Sequence, residues 1–159
     1  MSIRSNHQVY LIFLIQLNTG LRIGDVLSLK RKNFDGNYLK IIEQKTGKLQ
    51  NRKINKEILE KIESYCTFNK IGQNDQIFSI KVRWVQKYLQ KITGIIGINM
   101  ISTHSFRKTY AHLQYINSNH NIELVRRLLN HSSISITQRY LGITDNEVDE
   151  ASKKFKIIF

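Results

Sequence analysis

Six side chains, far apart along the chain, have types that together suit chemistry on a phosphodiester. They are Arg22, Lys45, His104, Arg107, His131 and Tyr140. Guanidinium groups bind non-bridging phosphate oxygens through paired hydrogen bonds, and fixed cations stabilise the charge that develops in a pentacoordinate transition state. A phenol has a free pKa near 10, so it needs cationic neighbours or a base to ionise and act as a nucleophile, and a lysine can protonate the departing oxygen. If these groups converge, the sequence predicts phosphodiester cleavage through a covalent phosphotyrosine, which needs no nucleotide cofactor.

The charge of the chain indicates the same class of substrate. There are 25 Lys and Arg residues against 12 Asp and Glu, which gives a formal net charge of +13. A polyanion is therefore the expected partner, and nucleic acid is the commonest one. A membrane is disfavoured, because the basic residues are dispersed and the longest apolar run, Val9–Ile15, is far shorter than the roughly 20 residues that span a bilayer.

The cysteine count and the composition suggest where the protein works. Cys66 is the only cysteine, so neither an internal disulfide nor a cysteine-based zinc site can form. This favours a reducing, cytoplasmic setting. The abundance of Ile, Asn and Lys suggests an AT-rich genome, bacterial or of a mobile element, which would place the protein in the bacterial cytoplasm or at the nucleoid.

Hydrophobic periodicity and turn residues predict an α+β fold that is mainly helical, a helical bundle with a small three-stranded antiparallel sheet. The predicted strands are Tyr38–Ile42, Leu49–Ile54 and Gln76–Ser79, with a turn at Asn33–Asn37. The predicted helices are one from a Ser5 cap to about Asn18 that ends at Gly20, then Ile23–Leu29, one capped by Asn55, Val82–Ile96, His104–Asn117 capped by Thr103, Ile122–Leu129, one from Ser132 or Ser133 to Tyr140, and Asp145–Lys154.

These elements give each chemical group a definite setting. His104 and Arg107 are three residues apart at the start of a helix, so both project from one face. Lys45 is at the tip of the predicted hairpin, where a long side chain can reach outward. His131 lies in a loop between helices, and Tyr140 comes near the end of a short helix.

Four segments of the chain resemble the catalytic domain of the tyrosine recombinases, the phage integrase family. The segments are T-G-L-R-I-G-D-V-L-S-L at Thr19–Leu29, E-Q-K-T-G-K at Glu43–Lys48, H-S-F-R at His104–Arg107 and L-L-N-H-S-S-I-S-I-T-Q-R-Y at Leu128–Tyr140. Each alone is weak, but four in this order and spacing, covering about residues 9 to 145, are specific to the family.

The resemblance implies how the scissile phosphate is bound. Arg22 and Arg107 would clamp it, and His131 would hydrogen-bond to it. Asp25 occupies the place of an acidic supporting residue, which is more often Glu in the family. Further DNA contacts are expected from six basic residues: Lys48, Arg52, Lys53, Arg83, Lys108 and Arg139.

The resemblance also implies the chemical steps. Tyr140 would attack the phosphorus, with His104 assisting proton transfer from the phenol. Lys45 would protonate the departing 5′-oxygen, leaving a 3′-phosphotyrosyl link. Attack by the 5′-hydroxyl of a second strand would reverse the step, so that strands of double-stranded DNA exchange through a Holliday junction.

Two expectations concern organisation. Residues 1–159 are expected to form the catalytic domain alone, without the N-terminal core-binding domain usual in the family, so that binding to DNA should be weak and salt-sensitive. Residues 144–159 are a helix and an apolar tail, which either folds back on its own domain or docks on a neighbouring protomer. The resemblance favours this exchange between protomers, which would support dimers or tetramers on DNA.

Other interpretations use fewer of these residues. A helix-turn-helix regulator within His104–Asn130 would leave Lys45, His131 and Tyr140 without a role. A type IB topoisomerase would use a similar site to relax DNA without exchanging partners, and a basic coating protein would depend on no single side chain. A metal site is not expected, because His112 and His120 do not share a helix face and no H-E-x-x-H pattern is present.

Overall fold

The computed structural model describes residues 3–98 and 100–157. The chain forms two compact units, Met1–Tyr110 and Ala111–Phe159, and each is described by itself. Among the described residues, no helix has both the length and the apolar character that crossing a bilayer requires.

Unit 1 contains helices around a small sheet. Its elements are α1 (Ile3–Thr19), α2 (Ile23–Leu27), a 3-10 turn (Arg31–Asn33), β1 (Phe34–Asp35), β2 (Tyr38–Ile42), β3 (Leu49–Lys53), α3 (Lys56–Phe68), α4 (Val82–Ile95) and the first part of α5 (Thr103–Asn117). Side chains from α1, α2, α3 and α4 meet in its core, where Ile12, Val26, Ile62 and Val85 are at most 1% exposed. Burial of these apolar side chains drives the assembly of the unit.

The sheet is antiparallel with the strand order β1-β2-β3. Strands β2 and β3 are paired from Tyr38↔Lys53 to Ile42↔Leu49, as the hairpin prediction requires. Along β2, Leu39 and Ile41 are buried and their neighbours are exposed, which is the alternation of a strand with one face on the core.

The third strand is not where the sequence predicted it. Gln76–Ser79 is not a strand, and Gln76 makes only an isolated bridge with Lys30. The third strand is instead Phe34–Asp35, inside the segment predicted as a turn, and it pairs with β2 across the turn at Gly36. Ile77 and Phe78 are buried in the core, so the apolar character of that segment reflects packing and not strand pairing.

The helix ends lie within about two residues of the predicted ones, but two predicted N-caps are wrong, since Ser5 lies inside α1, which begins at Ile3, and Thr103 lies inside α5. Gly20, with φ of +64°, ends α1, and the Asn55 side chain caps α3 by accepting a bond from the Glu57 N–H at 2.8 Å. Thr103, predicted as the cap of α5, lies inside that helix. Ser102 is the cap: its hydroxyl accepts from the His104 N–H at 3.2 Å, and its own N–H donates to Ser105 Oγ at 3.1 Å.

Unit 2 contains the end of α5, then α6 (Ile122–Leu128), α7 (Ile134–Leu141) and α8 (Asp145–Lys154). Val125 and Leu129 are fully buried. Gly142, with φ of +77°, ends α7. In the predicted apolar tail, Phe155 and Ile157 are 74% and 63% exposed, while Ile158 and Phe159 lie outside the described residues.

Candidate active site

Arg22 lies at the N-terminus of α2, two residues after the glycine that ends α1. Its side chain is 21% exposed, and Nη1 forms an ion pair with Glu43 Oε2 at 2.7 Å. A guanidinium carries five N–H donors in a planar fork. The ion pair therefore fixes the orientation of Arg22 and still allows it to bind an anion from the exposed side.

Arg107 lies in the second turn of α5 and is 1% exposed, whereas His104, one turn earlier, is exposed. Its Nη1 donates a hydrogen bond to the carbonyl oxygen of Gly20. The neighbouring Phe106 ring stacks on Phe13 of α1, with 4.1 Å between ring centroids. These contacts hold the start of α5 against the end of α1, the segment that leads into Arg22.

One buried carboxylate lies within electrostatic range of both guanidinium groups. Asp25 is 1% exposed, and its Oδ1 accepts a hydrogen bond from the Gln44 backbone N–H at 2.8 Å. Burial raises the pKa of Asp25 above its usual range, against the lowering effect of that hydrogen bond. The charges of Arg22 and Arg107 also act on this carboxyl and lower its pKa. The bond from Arg107 to the carbonyl oxygen of Gly20, two residues before Arg22, brings the two arginine-bearing segments together within unit 1.

The β2–β3 turn carries Lys45, which is exposed at its tip as predicted. The turn is closed by two backbone bonds at Glu43, whose N–H donates to the Lys48 carbonyl at 3.0 Å and whose carbonyl accepts from the Gly47 N–H at 2.9 Å. The Glu43 side chain is fully buried beneath the turn. Burial alone would raise the pKa of Glu43, but hydrogen bonds from Thr46 and Arg22 outweigh it, and the pKa lies below its usual range.

In unit 2 the structure brings His131 and Tyr140 together. His131 follows α6 and is 7% exposed, with Nδ1 3.1 Å from Thr137 Oγ1. The rings of His131 and Tyr140 make an edge-to-face contact with 5.4 Å between centroids. Arg126 donates to the His131 carbonyl oxygen at 2.8 Å, which fixes the backbone of the same residue. The imidazole is therefore held beside the phenol by contacts within its own unit.

The model of the phage integrase family matches residues 3–147 of this chain. The chain belongs to the phage integrase family. Over 96% of its length it is 33% identical to the probable integrase/recombinase YoeC of Bacillus subtilis, of which it covers 87%. It is 29% identical to the tyrosine recombinase XerA of Pyrococcus horikoshii, covering 99% of this chain and 58% of that one.

Solved structures of integrase-family proteins have the same fold. The XerH recombinase bound to its difH substrate superposes with a TM-score of 0.74 at 20% identity, over 99% of this chain and 49% of that one. The catalytic domain of the bacteriophage HP1 integrase superposes with a TM-score of 0.65 at 21% identity, over 91% of this chain and 80% of that one. The chain thus spans about half of XerH and most of the HP1 catalytic domain.

The basic residues expected to contact DNA differ in their settings. Five are exposed: Lys48, Lys53, Arg83, Lys108 and Arg139. Arg52 is not, because its guanidinium is half-buried and hydrogen-bonded to the Tyr110 side chain, and burial lowers its pKa. Arg52 is therefore better explained as an internal contact of this integrase-family unit than as a DNA contact. Among the described residues, no cluster of His, Cys, Asp and Glu could hold a metal ion.

The sequence did not identify Glu43 and Tyr110 as residues that support the site through buried contacts, although one signal for Glu43 is present in it. It follows Leu39 and Ile41 in the buried phase of β2, where a carboxylate needs a buried partner. Tyr110 gave no comparable signal. Its ring lies so close to Gly20 that a Cβ there would be 2.4 Å from Cδ1, a contact that depends entirely on the tertiary fold.

Proposed function

We propose that the protein catalyses site-specific DNA recombination by cleaving and rejoining strands through a 3′-phosphotyrosine at Tyr140. The observation that carries the proposal is the hydrogen bond from the Arg107 guanidinium to the carbonyl oxygen of Gly20, which brings residue 107 to the segment that carries Arg22, 85 residues away in sequence. Two guanidinium groups held on adjoining segments suit the two non-bridging oxygens of a phosphodiester. The relatives support the assignment, since they are named as recombinases and the XerH and Tn1549 integrase structures contain DNA.

The proposed first step is a transesterification. The Tyr140 phenol oxygen bonds to phosphorus while the bond from phosphorus to the 5′-oxygen breaks. The phenol proton passes to a base, for which His104 is the candidate, and Lys45 gives a proton to the departing oxygen. Arg22, Arg107 and His131 bind the phosphate oxygens and stabilise the pentacoordinate state. A 5′-hydroxyl from a second strand reverses the step, so each phosphodiester bond broken is matched by one formed.

The charge and the exposed basic residues support double-stranded DNA as the substrate. With a net charge of +13, much of the binding free energy would come from release of counterions, so affinity should fall steeply with salt. We also propose that residues 144–159 support self-association on DNA, because Phe155 and Ile157 are large apolar side chains left exposed. A reducing cytoplasm remains the expected location.

Covalent trapping tests the proposal without knowledge of the target sequence. The substrate is a pool of duplexes nicked near the cleavage position and randomised around it, so that the short 5′-hydroxyl fragment diffuses away and the adduct accumulates. We expect a protein–DNA adduct stable to denaturation for the parent chain and for Tyr10→Phe, an exposed control. Tyr140→Phe should form at least about 1,000-fold less, since the nucleophile is absent.

Two results would contradict the proposal. One is an adduct from Tyr140→Phe in amounts equal to the parent; the other is no adduct from the parent chain on any member of the pool. Adding a 5′-hydroxyl acceptor strand of different sequence then separates recombination from simple relaxation. A recombinase joins the acceptor to the trapped strand.

A further inference from the structure

Glu43 is bonded to both of the segments that carry proposed catalytic cations. Its Oε2 accepts from Arg22 Nη1 at 2.7 Å and from Thr46 Oγ1 at 2.6 Å. Its Oε1 accepts from the side-chain amide of Gln50, which lies on β3. A single carboxylate therefore links the N-terminus of α2 to the turn and to the strand that follows it.

The burial of Glu43 makes this link rigid. An ionised carboxylate taken out of water is tolerated only when paired and fully hydrogen-bonded, and loss of a partner is costly. The Glu43 side chain is fully buried, and both its oxygens are bonded. Neither Arg22 nor the turn can move away without depriving this buried charge of a hydrogen-bond partner, so the two segments are held in one arrangement.

A second bond joins the same two segments next to the first. The backbone N–H of Gln44, between Glu43 and Lys45, donates to Asp25 Oδ1 at 2.8 Å. Asp25 lies one helical turn after Arg22 on α2. Two adjacent residues of the turn are thus tied to two residues of α2, which fixes rotation as well as distance. Lys45 is the next residue along the chain, so the same bonds restrict the position of its backbone.

We propose that Glu43 is a positioning residue that couples Arg22 to the turn bearing Lys45, so that the phosphate-binding cation and the proton donor are set together. This inference rests on the proposed function. Arg22 is held directly through its guanidinium, and Lys45 indirectly through Thr46 and the closed turn. Misplacement of a catalytic group by about 1 Å can lower a rate roughly a hundredfold, so the coupling has a measurable consequence.

Two variants separate the effect of Glu43 on Arg22 from its effect on the turn that carries Lys45. Glu43→Gln keeps the shape of the side chain and removes the charge that Arg22 and Thr46 share. Thr46→Val removes the bond from Thr46 to Glu43, and the long 3.4 Å bond from the Lys48 N–H to Thr46, but leaves the Arg22 ion pair in place. Thr46 is exposed, so the fold should tolerate the change. Glu60→Gln, an exposed carboxylate on α3, is the matched control. Thermal unfolding followed by circular dichroism checks that each variant folds.

The readout is the single-turnover rate of adduct formation on two nicked substrates. One has the natural 5′-oxygen and the other has sulfur at that bridging position. A thiol has a pKa of about 8.5, so sulfur departs without a proton donor and its cleavage does not depend on where Lys45 lies. A defect in the placement of Lys45 therefore disappears on the sulfur substrate, while a defect in the placement of Arg22 remains.

On the oxygen substrate we expect Glu43→Gln to be slower by about ten- to a hundredfold and Thr46→Val by about three- to tenfold, with Glu60→Gln unchanged. On the sulfur substrate Thr46→Val should return to within about twofold of the parent, and Glu43→Gln should recover only in part. Equal rates for Glu43→Gln and the parent would overturn the inference, and so would equal slowing of both variants on both substrates. Failure of the proposed function gives a different result, an adduct that is absent or that survives Tyr140→Phe.

Discussion

Replacing Gly20 by alanine should destabilise unit 1 strongly, for two separable reasons. Gly20 has φ of +64°, a conformation that costs an L-residue about 1–2 kcal/mol. A Cβ at this position would also lie 2.4 Å and 2.6 Å from Cδ1 and Cε1 of Tyr110. These are atoms of a buried ring, 5% exposed, whose hydroxyl end is held by Arg52. The ring cannot simply swing aside, so the backbone or the start of α5 must shift.

The two contributions can be added because they arise from different atoms. Overpacking a buried site typically costs about 1–3 kcal/mol, so the sum is about 2–5 kcal/mol. This is a large part of the roughly 5–15 kcal/mol that stabilises an ordinary domain. In a chain of this size it corresponds to a fall in melting temperature on the order of 10 °C.

Urea unfolding followed by Trp84 fluorescence measures this loss, because Trp84 is the only tryptophan and lies in unit 1. Gly36→Ala is the matched control: φ is +53° there, but nothing lies within 4 Å of the added Cβ, so only the backbone cost of about 1–2 kcal/mol should appear. In a Tyr110→Ala background, Gly20→Ala should cost no more than Gly36→Ala does. If Gly20→Ala and Gly36→Ala are equally mild in the parent chain, the close contact with Tyr110 does not have the energetic role assigned to it.

Two further predictions concern Arg22 and the C-terminal tail. Arg22→Ala should lower the free energy of unfolding at pH 7 by about 1.5–3 kcal/mol, since it leaves the buried Glu43 without its cation. The pKa of Glu43 is lowered in the folded protein, so the ionised carboxylate stabilises the fold above the usual Glu pKa and that stability is lost as Glu43 is protonated. The difference in stability between Arg22→Ala and the parent should therefore shrink below about pH 4. A pH-independent difference in urea unfolding would be inconsistent with this. Ending the chain at Lys154 removes Phe155–Phe159 and should raise about tenfold or more the protein concentration needed for multimers on DNA in native gels; unchanged multimers would exclude the tail as the association surface.

The sequence predicted the elements that have strong local signals. Amphipathic periodicity located α4, the hairpin followed from the turn residues around Gly47, and Gly20 and Asn55 marked helix ends that the structure confirms. The sequence does not predict the two-residue strand β1, because so short a segment has no periodicity and the residues around it, Asn33–Asn37, are typical of a turn. The helix cap at Ser102 was assigned one residue late because Ser and Thr adjoin there and both are good caps.

The sequence predicts which chemical groups the site contains, but it does not predict how buried each group is or which residues it contacts. The spacing of His104 and Arg107 gives both residues the same helix, yet nothing local shows that Arg107 is 1% exposed. Its burial depends on a bond to the carbonyl of Gly20, which is 87 residues away in sequence. Long-range contacts of this kind are invisible to a window of 10 or 20 residues. For the same reason the sequence predicts Arg52 to be a DNA contact, although Tyr110 holds it inside unit 1.

The two arginines that we propose bind the phosphate also have a structural role within unit 1. Arg22 compensates the buried charge of Glu43, and Arg107 satisfies a buried carbonyl at the start of the segment that leads to Arg22. Folding already fixes these long side chains, so a phosphate that bound as we propose would meet donors that are in place beforehand. Because both arginines also make structural contacts, removing either one disturbs the positions of the groups that remain. Loss of activity in Arg22→Ala alone would therefore not identify a catalytic role, whereas the sulfur substrate separates placement of the donor from binding of the phosphate.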